Sequence, residues 1–190
     1  MATRGGFQGN LLEVDLTRGR TRAIPLPSDE TLRTFGGATG VGLYLLSQEI
    51  TPSVQPTDAD CPFLLMTGPL TGTMAPNSSH WVLVNLRDCP SYHVGLSHAH
   101  GFLGARLKHA GWDGILVRGA SKGPVYLWID NDKVELRDAA PYWGMDTYET
   151  PRRIKLELGD PLDISVACIG PGGENLLPGA MVRADGVTAA

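Results

Sequence analysis

Two glycine-rich turns, each closing an apolar run, constrain this chain more than any other feature. The first, Gly68-Pro69-Leu70-Thr71-Gly72-Thr73, follows Phe63-Leu64-Leu65-Met66. The second, Gly170-Pro171-Gly172-Gly173-Glu174-Asn175, follows Ile164-Ser165-Val166-Ala167-Cys168-Ile169. A strand that stops on Gly-Pro with more glycine behind it leaves backbone N–H groups with no side chain in front of a ligand. The same device used twice predicts a duplicated fold with two related ligand-facing edges.

The surrounding elements repeat in the same order. Alternation from Asn10 to Asp15, a turn at Thr17-Arg18-Gly19-Arg20 and a return over Thr21 to Leu26 predict a hairpin. Ser28 is a helix N-cap with Glu30 in the first turn, and Gly36-Gly37 breaks that helix near Phe35. A second helix fits Gly40 to Gln48. Buried strands are expected at Phe63 to Met66 and His80 to Leu86, a helix at Gly101 to His109, and a strand at Ile115 to Val117. The order then restarts. Val125 to Ile129 and Lys133 to Arg137 flank the turn Asp130-Asn131-Asp132. Asp146 or Thr147 caps a helix that Gly159-Asp160-Pro161 stops, Ile164 to Ile169 is read as a buried strand, and Pro178 to Arg183 as one more. The expectation is an α+β fold in a single domain over 1–190, internally duplicated over about 9–110 and 114–190.

Composition narrows the function classes. At 190 residues the chain can bury roughly 70% of its unfolded surface in one core. A net charge of −4 argues against a nucleic-acid footprint. No apolar run reaches the roughly 18 residues of a membrane span, and Met1 to Gly6 lacks the apolar stretch of a secretory signal, so the expected location is the cytoplasm. Cys61, Cys89 and Cys168 are scattered without a Cys-x-x-Cys pair, which argues against a disulfide framework, a zinc ribbon or a self-contained iron–sulfur site. Cys168 is read as a small core residue.

All five histidines lie between positions 80 and 109, densest at Ser97-His98-Ala99-His100-Gly101 ahead of a predicted helix. Free N–H groups there bind anions, and imidazoles add hydrogen bonds to a phosphate or heterocycle. The competing readings are a polar loop whose histidines cap the helix and face water, and a His-x-His metal site. Asn77-Ser78-Ser79-His80, after the first Gly-Pro turn, suits polar contacts to a cofactor or is simply a surface loop. Asp113, Asp130, Asp132 and Glu135 are read as solvated or capping residues.

At these residues the sequence resembles the N-terminal domain of the aldehyde:ferredoxin oxidoreductase family, the tungsten–pterin enzymes. The resemblance rests on Gly9-Asn10-Leu11-Leu12-Glu13-Val14-Asp15-Leu16-Thr17, Gly68 to Thr73, Gly104 to Asp113, Val134 to Ala139 and Ile169 to Asn175, in matching order and spacing. It implies two similar halves forming a base under a bis-pterin tungsten or molybdenum cofactor. It implies cofactor contacts at Asn77, Ser78, Ser79 and His80 and at His98, Ala99, His100 and Gly101. The position of His98 matches one where asparagine is frequent and its backbone carbonyl helps hold a magnesium ion between pterin phosphates. That of His80 matches one where arginine meets a phosphate. The resemblance further implies that the [4Fe–4S] cysteines and catalytic acid–base groups belong to later domains. The chain is therefore expected to act with those domains or a separate subunit, delivering electrons to ferredoxin, and to self-associate. The alternative is a non-catalytic binding or assembly protein that keeps the fold.

Overall fold

The computed structural model describes residues 5–87, 93–159 and 162–190; Met1 to Arg4, Cys89 and the proposed helix stop at Asp160-Pro161 lie outside them. β1 (Asn10–Asp15) and β2 (Arg20–Pro25) form the first hairpin. Leu11 faces one side of the sheet, and Leu12 and Val14 reach the apolar cluster on the other. α1 (Asp29–Phe35) starts at Ser28, whose hydroxyl accepts the Thr31 N–H at 3.2 Å, and ends at Gly36. α2 (Ala38–Glu49) follows at once, so the glycine pair separates two helices as expected.

β3 (Phe63–Thr67), β4 (Trp81–Leu86), β5 (Val94–Ala99), α3 (Leu103–His109) and β6 (Gly114–Arg118) complete the larger sheet, ordered β2-β1-β6-β3-β4-β5. β1 and β6 run parallel; the remaining neighbours are antiparallel. α2 covers one face, packing Val41 and Leu46 against Leu64, Met66, Val82 and Val84. The opposite face carries Leu12, Leu65, Trp81, Leu83 and Ala99, covered by Leu107 of α3 and by Trp112. α3 lies close because Gly104 has no side chain: a Cβ there would stand 3.2 Å from both Thr71 Cγ2 and Trp81 Cβ.

The second half supplies the rest of that cover. β7 (Val125–Asp130) and β8 (Lys133–Asp138) form a hairpin, with Asn131 in the left-handed region at its turn. A 3-10 turn (Ala140–Tyr142) leads to α4 (Glu149–Glu157). The Asp146 carboxylate accepts the Tyr148 and Glu149 N–H groups, and these bonds hold its carboxyl below the usual carboxylate range. β9 (Ala167–Cys168), α5 (Pro171–Glu174), β10 (Arg183–Ala184) and β11 (Thr188–Ala189) close the chain, with the three strands in a small sheet ordered β11-β10-β9. No helix among the described residues is long and apolar enough to cross a membrane.

Several expectations are corrected here. The run Ile164 to Ile169 is not a buried strand: only Ala167 and Cys168 pair, and Ile169 is 39% exposed. The Asp185 carboxylate binds the Val166 N–H and the Ser165 hydroxyl, so the Val166 N–H pairs with a side chain, while its carbonyl accepts the Asp185 N–H. The strand expected at Pro178 to Arg183 shrinks to Arg183–Ala184. Asp113 is not solvated but fully buried, paired with the buried Lys108. Its carboxylate also accepts the N–H groups of Gln8 at 3.0 Å and Gly9 at 2.7 Å.

Cys168 sits at the half-buried edge of the small sheet and not in a core. Burial there pushes its thiol up to about 11. Only the thiolate is nucleophilic, so roughly a hundredfold fewer Cys168 side chains are reactive at pH 8 than at an unperturbed cysteine. Iodoacetamide labelling followed by peptide mass spectrometry is expected to modify Cys168 at least about tenfold more slowly in the native chain than in urea. Equal rates would show that the strand edge gives the thiol no protection.

Candidate functional site

The first Gly-Pro turn does not present free amides as the sequence suggests. The Gly68 N–H bonds to the Thr71 hydroxyl at 3.0 Å, the Thr71 N–H to the Gly68 carbonyl, the Gly72 N–H to the Ser78 carbonyl and the Thr73 N–H to the Leu70 carbonyl. The second turn is wound into α5, where the Gly173 and Glu174 N–H groups return to the Gly170 carbonyl. Most amides of both turns are therefore spent on internal bonds. What the first one supports is the segment Asn77 to His80: the Thr71 hydroxyl donates to the His80 carbonyl at 2.8 Å, and the Ser78 hydroxyl donates to the Thr73 carbonyl at 2.7 Å.

Strand register gathers the histidines. β4 and β5 pair with Trp81 opposite Ala99 and Val82 opposite His98. The Arg87 N–H reaches the His93 carbonyl at 2.9 Å, which marks the odd-numbered residues as the hydrogen-bonded pairs. His98 thus lies at a non-hydrogen-bonded position, where side chains of neighbouring strands approach most closely and the backbone polar groups point away from the partner. Continuing the register by one more such pair sets His80 opposite His100. All three rings share one face because their positions differ by even steps along the pleat. His80 Nε2 and His98 Nδ1 are 2.7 Å apart, although the residues are 18 apart in sequence. The His80 ring lies edge-on to His98 at 4.9 Å and to His100 at 4.7 Å between centroids. Burial, then the neighbouring His100 and His98, hold the His80 imidazole below the ordinary histidine value.

These histidines precede α3 as expected, but none of them caps it. His98 and Ala99 end β5, and α3 begins at Leu103 with no side-chain cap. Ala99 is buried and turns its methyl group into the core beneath the sheet, leaving only its backbone for the rim. Gly101 has φ of +86°, which a side chain would disfavour, and lies beside Thr188. Asn77 is exposed, with Ser78 and Ser79 half-buried beside it. His109 stands apart, bonded to the Gly72 carbonyl at 2.9 Å.

Two residues that sequence reasoning missed hold this rim. Trp81 Nε1 donates to the His100 carbonyl at 2.8 Å, and the Thr188 hydroxyl donates to the same oxygen at 2.9 Å. Trp81 belongs to β4 and Thr188 to β11, so one carbonyl joins the two halves of the chain. Beside His80, a cleft of about 320 Å³ runs between Ala38 and Thr39 at the start of α2, the Gly68 to Thr71 turn, and Asn77 and Ser78. Residues 77–80 and 98–101 thus form a polar rim next to a concave surface. Among the described residues, no three histidine, cysteine or carboxylate side chains are arranged to hold a metal ion.

Residues 11–190 match the family model described as aldehyde ferredoxin oxidoreductase, N-terminal domain. The chain is 37% identical over 185 residues to the tungsten-containing aldehyde ferredoxin oxidoreductase of Pyrococcus abyssi, covering 97% of this chain and 30% of that protein. It is 38% identical over 183 residues to the aliphatic sulfonate oxidoreductase, WOR-like subunit, of Pyrococcus furiosus, covering 89% of this chain and 29% of the relative. Its backbone is similar, at a TM-score of 0.92 and 33% identity, to a chain of the active-site complex BamBC of benzoyl coenzyme A reductase in complex with 1,5-dienoyl-CoA. That match covers 97% of this chain and 28% of the other. The chain spans about 30% of the length of the curated relatives it matches. It belongs to the aldehyde ferredoxin oxidoreductase family and corresponds to that family's N-terminal domain.

Proposed function

We propose that this chain is the cofactor base of a tungsten–pterin oxidoreductase that converts an aldehyde to a carboxylic acid. The observation that carries the reading is the meeting of His80 and His98 on one rim, inside a domain whose relatives are named as tungsten enzymes. The residues fit such a group. The His98 carbonyl points away from β4 and is an oxygen donor of the kind magnesium takes. Gly101 lets the chain turn beside Thr188 without a side chain, and the imidazoles offer N–H donors to phosphate.

When bound, the tungsten–pterin group supplies the two-electron chemistry, and the protein supplies placement and electrostatics. In this arrangement Asn77, Ser79, His80 and His100 would hold the phosphorylated pterin, and the His98 carbonyl would serve the magnesium ion. Trp81 and Thr188 fix the rim through the His100 carbonyl. Ser78 holds the loop shape through its bond to Thr73, and Ala99 contributes backbone only. Cysteines outside these 190 residues would hold a [4Fe–4S] cluster, which would supply the electron route to ferredoxin. The chain works in the cytoplasm and associates through exposed apolar side chains such as Leu70, Met74, Phe102 and Leu176.

The test is co-expression with polypeptide supplying the rest of the relatives' length, followed by metal and pterin analysis and aldehyde-dependent dye reduction. Stoichiometric tungsten or molybdenum with pterin, and turnover of an aldehyde, are expected. Absence of both metals and of pterin would overturn the reading in favour of a non-catalytic relative. The benzoyl coenzyme A reductase neighbour favours a second reading, the same base serving reduction of an aromatic coenzyme A thioester. Cofactor loading with no aldehyde turnover, together with activity toward benzoyl-CoA, selects that reading.

A further inference from the structure

We propose that the His80 and His98 side chains form a two-imidazole site for a borderline divalent transition-metal ion, with zinc as the type case. The site is distinct from the His98 backbone carbonyl, which faces the opposite way from the β4 ladder. It also differs from a His-x-His pair, because His98 lies on β5 and His80 immediately precedes β4.

Four observations carry it. First, the two donor atoms already face each other: His80 Nε2 and His98 Nδ1 are 2.7 Å apart. Two nitrogens on a tetrahedral zinc ion, at bonds of about 2.0–2.1 Å, stand about 3.4 Å apart. Opening the pair by a fraction of an ångström through side-chain rotation replaces the shared proton by a metal ion. Second, the backbone holds the donors at this spacing. His98 is directly opposite Val82, which makes His80 its diagonal neighbour on the same face, a separation that aromatic side chains span, and the register is locked by Trp81 and Val82, both fully buried.

Third, the donor chemistry selects the ion. Imidazole nitrogen suits zinc, copper and nickel, whereas magnesium takes oxygen ligands. Fourth, the rim is open on its outer side. His98 and His100 are exposed, so the remaining coordination positions are available to water or to an anionic oxygen. His100 packs edge-on against His80 and braces that ring. With no third protein donor converging among the described residues, the site has two protein ligands and an incomplete shell.

The test uses the 190-residue chain and the metal alone. Isothermal titration with zinc, backed by cobalt(II) substitution, is expected to show a single ion per chain and the visible absorption of a tetrahedral cobalt centre. Millimolar magnesium should not displace it. His80→Ala and His98→Ala should each weaken binding by on the order of tenfold or more. His93→Ala, on an exposed residue outside the rim, should leave it unchanged. Circular dichroism confirms that each variant is folded, and His80→Gln and His98→Gln serve if an alanine variant is not. His100→Ala should weaken binding less than either ligand substitution. Absence of zinc binding would overturn the proposal, as would binding that survives both substitutions or that depends on His100 more than on His98. No pterin is present in this titration, so its failure leaves the cofactor reading untouched, and failure of that reading leaves this site to be measured by itself.

Discussion

Asp113→Ala is expected to destabilise the fold by about 3–5 kcal/mol, the range for stranding one partner of a buried ion pair. Asp113 is 0% exposed and Lys108 is 3% exposed, so neither charge has water to fall back on. The same carboxylate also accepts the N–H groups of Gln8 and Gly9, so the substitution leaves one buried ammonium and two backbone donors without their acceptor. Phe7 stacks near the Lys108 ammonium, at 5.2 Å from ring centroid to nitrogen, which keeps the lysine in place and deepens the loss. Urea unfolding followed by circular dichroism measures it. The double variant Lys108→Met, Asp113→Leu should recover part of the loss by removing both charges, though not the part due to the Gln8 and Gly9 donors. A loss below about 1 kcal/mol for Asp113→Ala would mean that solvent reaches the pair.

Trp81→Ala should cost about 3–5 kcal/mol, as for other large aromatic truncations in cores. Trp81 is the largest fully buried side chain and sits where α3, β5 and Ala184 of the second half meet. Trp81→Phe separates packing from hydrogen bonding. Most of the ring volume stays, but the donor to the His100 carbonyl goes. Thr188 still donates to that oxygen, so the stability loss should be smaller, about 1 kcal/mol for the lost bond plus the unfilled volume. The local effect should be large. Amide hydrogen exchange over His100 to Leu103 is expected to accelerate in Trp81→Phe while exchange in β1 and β6 stays unchanged. If exchange at the rim does not respond, the indole is only a core filler and Thr188 alone holds the carbonyl.

Local signals in the sequence carried much of the fold. The Ser28 cap, the Gly36-Gly37 break, the β1–β2 hairpin and the Asn131 turn all rest on residues that act within a few positions of themselves. β5 had no such signal. Val94-Gly95-Leu96-Ser97-His98-Ala99 is weak strand material, and it is extended because β4 offers it a ladder. Missing β5 hid the histidine site, since strand alternation is what sets His98 and His100 on one face with His80. Asp113 misled for a related reason. Gly111-Trp112-Asp113-Gly114 reads as a turn, and besides Lys108 the donors that satisfy its carboxylate lie more than a hundred positions away. Ile164 to Ile169 erred the other way. Only Ala167–Cys168 of its apolar run pair with a neighbouring strand, and the Val166 N–H meets the Asp185 carboxylate instead. The family resemblance named residues 77–80 and 98–101 as cofactor contacts, but it carried no information about Trp81 or Thr188.

The parallel pairing of β1 with β6, in which Leu12 lies beside Ile115, has a consequence for how the chain must be made. At synthesis rates of about 5–20 residues per second, the interval between these two strands takes roughly 5–20 s to emerge from the ribosome. Through that interval the first hairpin has one finished edge and one bare edge, with Leu12 and Val14 lacking the neighbours that bury them. Asp113 leaves the ribosome just ahead of β6, and its carboxylate binds the backbone immediately before β1. The arrival of Asp113 and β6 therefore ends the nascent hairpin's period as an aggregation-prone edge, and chaperone binding during synthesis should concentrate on chains shorter than this point.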